Sequence, residues 1–189
     1  MTDGDRQKLN NLICAVAKGY ADCLDGIYAI AGKRMYVAAY AVIGERLSAE
    51  DVVSDSFVKI ARFAKKYDGT GDPLAWIMKI VRNTALDFIR KRRRRAEVST
   101  EEFYSLTDDS YSPEKRETAV MLEQAMAALE PDERRAIYMR YFLEMTVREI
   151  AEATKLSRSA AERLIQRAEE NLRKKLGGGT KDADKTFKK

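Results

Sequence analysis

The sequence contains no histidine. That removes the commonest general base, every Ser-His or Cys-His nucleophile arrangement and the usual nitrogen ligand of zinc. Cysteine is scarce too: Cys14 and Cys23 are the only two, and their spacing places them roughly two or three turns apart in one helix, which suits buried free thiols better than a disulfide. The ten glycines include "GTGDP" and "GGGTK", which match neither the P-loop nor the dinucleotide pattern. Nothing argues for an enzyme, a cofactor or a metal. The longest apolar run, residues 35–43, is too short to span a bilayer, and "MTDGDRQK" lacks a signal-peptide pattern. No membrane insertion and a cytoplasmic location are the expectation.

What is present is helix and cation. The chain has 189 residues, 45% of them hydrophobic, enough for one respectable core or two small ones. Strand patterns are nearly absent, while apolar residues recur at three- and four-residue spacing. Leu9, Leu12, Ile13, Val16, Tyr20, Leu24 and Ile27 make one such stripe, and a second helix is predicted from about Lys33, ended by Gly44 as a left-handed cap. Ser48 with Asp51 three residues later reads as the start of the next helix, which carries Val53, Phe57, Ile60 and Ala64 on one face and stops near Tyr67. "DGTGDP" is a loop, with Asp72 as N-cap and Pro73 in the first helical position.

The helix that follows, residues 73–95, is the informative one. Its pairs Trp76/Ile77, Ile80/Val81, Thr84/Ala85 and Phe88/Ile89 form a buried stripe. Trp76 lies on that stripe, which favours packing over base stacking. The other faces carry eight cations, at 79, 82 and 90–95, against one anion, Asp87, for a local charge of +7 within a chain of net charge +5. Some of the cations complement the helix dipole, but six in succession exceed that need. Clustered charge of this kind is the electrostatic footprint of a nucleic-acid binder, against the plainer reading of a solvated basic run. Residues 96–114 reverse the sign, with six acids and no cation, and read as a flexible acidic linker between domains.

Beyond the linker, Leu122, Ala125, Met126 and Leu129 share a face. Pro131 restarts a helix that turns Ile137 and Tyr141 inward. Thr146 and Glu149 form a capping box before a short helix, residues 154–156 turn, and Ser157 caps a longer helix. Short helix, tight turn, longer helix is the helix-turn-helix pattern, whose second helix lies in the major groove. The closing "GGGTKDADKTFKK" reads as a tail.

"AEDVVSDSFVKIARF", "DPLAWIMKIVRNTALDFIRKRRR" and, after the linker, "ALEPDERRAIYMRYFLEMTVREIAEATKLSRSAAERLIQRAEENLRKKL" together resemble the bacterial extracytoplasmic-function sigma factors over roughly residues 24–176. The resemblance implies an all-α chain of two helical domains: sigma region 2 in residues 1–95 and a region 4 helix-turn-helix in residues 115–176, joined by the 96–114 linker and followed by a 177–189 tail. It also implies a non-catalytic transcription initiation factor. Its partners would be bacterial core RNA polymerase, through the beta and beta-prime subunits, promoter DNA, and an anti-sigma factor.

By the same resemblance Asp51, Asp55 and Phe57 meet the polymerase clamp helices, with Ser54 where a glutamine is frequent. Asp68 and Gly69 belong to a loop that captures a flipped minus-ten base. Trp76, Lys79, Arg82, Asn83, Arg90, Arg93 and Arg94 lie beside the separating strands, and the whole run 90–95 holds phosphates. Ser157, Arg158, Ser159, Ala160, Glu162, Arg163, Gln166 and Arg167 match the helix that reads the minus-thirty-five element. The pattern departs from the family at Glu162 and Leu164, where many members are basic, and at Lys155, which replaces a turn glycine. Two other readings remain: a helix-turn-helix regulator that binds duplex through residues 146–176 without polymerase, and a helical interaction protein in a signalling cascade.

Overall fold

The computed structural model describes residues 1–95, 120–122 and 124–177. It is helical, with no strand among these residues, and the chain divides into two compact units, Met1–Glu102 and Phe103–Lys189. The acidic linker and the tail expected from the sequence lie outside the described residues.

The first unit is built on one central helix. α1 (Asp3–Ala17) is opened by a capping box in which the Thr2 hydroxyl accepts from the Asp5 amide while the Asp5 carboxylate accepts from the Thr2 amide. It buries Leu9, Ile13 and Val16. The continuous stripe expected to run on to Ile27 is broken: Gly19 takes φ 102°, Tyr20 is 65% exposed, and the chain turns before α2 (Cys23–Ile43) begins. Cys14 and Cys23 therefore sit on different helices, as free thiols. α2 starts ten residues earlier than Lys33 and packs against α1, α3 and α4. That position explains its length and its nearly all-apolar face, and Gly44 ends it at φ 74° as expected.

α3 (Arg46–Phe63) begins two residues before the predicted N-cap. Ser48 does not cap it; its hydroxyl donates to Glu45 Oε2 at 3.0 Å, inside the first turn. A 3-10 turn (Ala64–Lys66) closes α3, and residues 67–72 loop to α4 (Pro73–Arg95). Asp72 Oδ1 accepts from the Leu74 amide at 2.8 Å, the predicted cap. Ile77, Val81, Thr84, Ala85, Leu86 and Ile89 are buried, so the stripe faces the core.

In the second unit residues 120–122 and 124–127 are helical, and the Arg134 side chain caps that segment's end by donating to the carbonyls of Met126, Ala127 and Leu129. α5 (Pro131–Ile137) runs into a π turn (Tyr138–Phe142). The widened turn shifts the helical phase, so Tyr141, expected to face inward, is 43% exposed and donates its hydroxyl to Glu169 at 2.8 Å. α6 (Val147–Thr154) has the predicted capping box, Lys155 turns the chain at φ 57°, and α7 (Arg158–Gly177) packs on both α5 and α6. Ala125, Leu129, Ile137, Ala168 and Leu172 form its core, with Leu122 and Met126 against them. No helix among the described residues is long and apolar enough to cross a membrane.

Candidate polymerase and nucleic-acid interfaces

The exposed side of α3 is defined by what its buried side leaves over. Ala49, Val52, Val53, Ser56 and Ile60 face the core, so Asp51 and Asp55 stand in solvent. Leu47 and Val58 stand with them, 70% and 69% exposed, and Tyr28 of α2 is 63% exposed with its ring 5.8 Å from that of Phe57. Acids flanked by exposed aliphatic and aromatic groups make an amphipathic surface of the kind that partner proteins cover. The sequence pointed to Asp51, Asp55 and Phe57 but not to Tyr28, Leu47 or Val58. The available signal was that Leu47 and Val58 fall out of phase with the buried face.

The loop before α4 is held in a defined shape. Asp68 Oδ1 accepts from the Thr70 amide at 2.9 Å, and that bond holds the Asp68 carboxyl below the ordinary carboxylate range. Gly69 and Gly71 take φ 75° and 78°, conformations that favour glycine. Tyr67, at the loop's start, packs its ring 5.1 Å from Trp76, so Trp76 is half-buried beneath the loop instead of deep in the core. Burial, followed by the charges of neighbouring groups, pushes the Tyr67 phenol up.

Along α4, Lys79, Asn83, Arg90, Arg93 and Arg94 are exposed and Arg82 is half-buried. At about 100° per residue they fall on one flank, opposite Ile77, Val81 and Phe88, and the buried Leu86 divides that flank into one group with Lys79, Arg82 and Asn83 and another with Arg90, Arg93 and Arg94. The one acid in this helix is engaged: Asp87 lies 3.2 Å from Lys59 Nζ and 3.9 Å from Arg90 Nη1. The flank is therefore cationic. Arg92 does not belong to it. Its Nη1 donates to Glu45 Oε2 at 2.7 Å, with the two side chains only 19% and 21% exposed, so the expectation that every cation of the run meets phosphate is corrected at this position. This ion pair ties the end of α4 to the start of α3 and explains why Glu45, not Ser48, marks that start.

On α7, Ser157, Arg158, Ser159, Arg163, Gln166 and Arg167 are exposed and Ala160 is half-buried. Ser157 Oγ accepts from the Ala160 amide at 3.2 Å, so this serine is the predicted cap. Arg158 Nε sits 3.2 Å from Glu162, which neutralises the acid that departs from the family pattern. Arg167 reaches back into the unit: its Nε donates at 2.7 Å to Glu133, a carboxylate 2% exposed that also accepts from Asn171 Nδ2 at 3.0 and 3.1 Å. Among the described residues no group of three or more metal-ligating side chains gathers.

Residues 27–95 match the family model of Sigma-70 region 2, and residues 119–172 match that of Sigma-70, region 4. The chain is similar to the ECF RNA polymerase sigma factor BldN of Streptomyces coelicolor, 27% identical over 180 residues that span 92% of this chain and 68% of that protein. It is similar also to the ECF RNA polymerase sigma factor SigW of Bacillus subtilis, 26% identical over 173 residues, 85% of this chain and 92% of that one. Among solved structures, CnrH in complex with the cytosolic domain of CnrY shares 21% identity over 92% of this chain and 99% of that chain, at a TM-score of 0.46. With both regions matched, in order and over most of its length, the chain belongs to the extracytoplasmic-function group of the sigma-70 family and is a transcription initiation factor.

Proposed function

We propose that this sigma factor divides its work among the surfaces described above. Asp51, Asp55 and Phe57, joined by Tyr28, Leu47 and Val58, form the surface that core polymerase covers. The loop with Asp68 and Gly69 receives a single-stranded minus-ten base. Lys79, Arg82, Asn83, Arg90, Arg93 and Arg94 hold the separating strands, and Trp76 supports the loop. Ser157, Arg158, Ser159, Ala160, Arg163 and Gln166 read the minus-thirty-five element, while Arg167 positions the reading helix through Glu133.

The observation that carries this reading is the α4 flank: cations and an exposed asparagine lie directly after a glycine-bearing loop, with the helix's one acid neutralised by Lys59. Holding unpaired bases and phosphates takes such groups and no hydrolysis. The protein therefore acts by binding, without a chemical step of its own, and works in the cytoplasm where the polymerase is. A duplex-binding regulator would use α7 but leave this flank without a task.

A similar solved structure is that of the sigma factor RpoE in complex with the anti-sigma factor NepR from Bartonella quintana. An anti-sigma factor that covers the amphipathic α3 surface is the corresponding regulator here, because it would compete with polymerase for the same exposed apolar groups.

Run-off transcription from the DNA upstream of the protein's own gene, with purified bacterial core polymerase, tests the assignment. The expected result is a discrete transcript only when the protein is added. Duplex binding by the free protein combined with no binding to core polymerase would overturn it in favour of the regulator.

A further inference from the structure

The region 2 match begins at residue 27, so α1 lies wholly outside it. α1 nevertheless has two functions visible in its side chains. Leu9, Ile13 and Val16 bury its apolar face. Arg6 and Asn10, four residues apart and so stacked on one side of the helix, reach the two ends of the loop at residues 67–72. Asn10 Oδ1 accepts the Tyr67 hydroxyl at 2.7 Å. Arg6 Nε lies 3.7 Å from Asp72 Oδ2, the carboxylate whose other oxygen opens α4.

Between these two anchors stand Gly69 and Gly71 at positive φ. Glycines allow that shape but do not enforce it, because they leave the unbound chain many alternatives. Fixing the ends narrows the alternatives before any ligand arrives, and a loop ordered in advance loses less entropy on binding. The crown of the loop also passes close to α1: a Cβ at Gly69 would sit 3.9 Å from Asn10 Oδ1. The link between Asn10 and Tyr67 is the stronger one. It is half-buried, whereas Arg6 and Asp72 are 52% and 37% exposed.

We infer that α1 is part of the promoter-reading apparatus, with Arg6 and Asn10 as positioning residues that set the loop at residues 67–72 in one shape before it meets a single-stranded minus-ten base. This rests on the reading of that loop given above.

The test uses the full chain assembled with core polymerase. The probe is a labelled single-stranded oligonucleotide carrying the minus-ten strand of the promoter the holoenzyme transcribes, and its affinity is read by anisotropy. Asn10→Ala removes the acceptor and favours helix; Tyr67→Phe removes the donor and keeps the ring against Trp76. Each is expected to weaken the oligonucleotide by about three- to tenfold, the usual range for one lost hydrogen bond. The double variant should lose no more than either single one, and affinity for core polymerase should stay at the parent value.

Asp68→Ala and Asn83→Ala serve as loop and flank controls. If both controls bind the oligonucleotide like the parent protein, the loop does not read DNA and the inference falls with that reading. Should the controls weaken while Asn10→Ala and Tyr67→Phe do not, the positioning role alone is wrong. Additive losses in the double variant, or an equal loss of polymerase affinity, would show a general effect on the fold and also overturn it.

Discussion

The basic run at the end of α4 offers the sharpest perturbation, because neighbouring arginines of identical chemistry are placed in different surroundings. Arg93 and Arg94 are exposed, whereas Arg92 is half-buried and paired with Glu45 at 2.7 Å. Each cation that neutralises a phosphate of a separated strand contributes about 0.7 to the slope of log affinity against log salt, so Arg93→Ala/Arg94→Ala should flatten the slope by about 1.4. Between about 50 and 200 mM salt the double variant should therefore lose roughly 7-fold less affinity than the parent protein does.

Arg92→Ala should leave the slope alone and cost stability instead. A charge-assisted bond between two largely buried groups is worth about 1–2 kcal/mol once solvent screening is allowed for. In a unit of this size that is a fall of about 5–15 °C in melting temperature. The chain's one tryptophan, Trp76, lies in this unit, so its fluorescence follows the transition; anisotropy with the holoenzyme gives the slopes. A slope unchanged in the Arg93/Arg94 variant, or flattened as much by Arg92→Ala, would refute the division.

Other outcomes follow from the same geometry. Asn83→Ala should reduce permanganate reactivity of the promoter by about three- to tenfold while polymerase affinity holds, and normal reactivity rules out a role in opening. Glu133→Ala removes the acceptor shared by Arg167 and Asn171 and should cost the second unit about 2–3 kcal/mol in a circular-dichroism melt; a loss below half of that would mean the clamp is not structural. Lys155→Gly relieves a left-handed backbone at φ 57° and should stabilise that unit by about 1 kcal/mol, which no change in melting would contradict.

The parts of the fold legible in the sequence are those settled within a few residues. Gly44, the Asp72–Pro73 pair, the Thr146–Glu149 box and Ser157 all act through contacts at most four residues away, and each is where the pattern placed it. Long-range partners defeated the same reasoning. Ser48 looked like a cap because nothing local reveals that Glu45 is claimed by Arg92, 47 residues on. The stripe through Tyr20 kept its period across a break that Gly19 makes, and Tyr141 lost its inward phase to a π turn that no spacing announces. Of the binding surfaces, charge clustering showed where cations gather. The proposed assignment of residues to partners came from the resemblance, and the burial pattern alone added Tyr28, Leu47 and Val58 to it.

Charge allocation carries a consequence for how the protein finds DNA. In the first unit Arg92 is paired with Glu45 and Arg90 approaches Asp87 at 3.9 Å, while Lys79, Arg90, Arg93 and Arg94 are exposed on the flank. In the second, Arg158 faces Glu162 and Arg167 faces Glu133. The cations paired on these two surfaces contribute less to phosphate binding than the sequence alone suggests, and since non-specific affinity rises steeply with the number neutralised, each surface is expected to bind stray duplex weakly. Two weak sites on one chain still give a tight complex when both are engaged, because the second event is intramolecular. On the functional reading proposed above, a protein allocated this way would be held at a promoter only when both elements are offered together, and an anisotropy titration of the free protein with bulk duplex should show only weak binding.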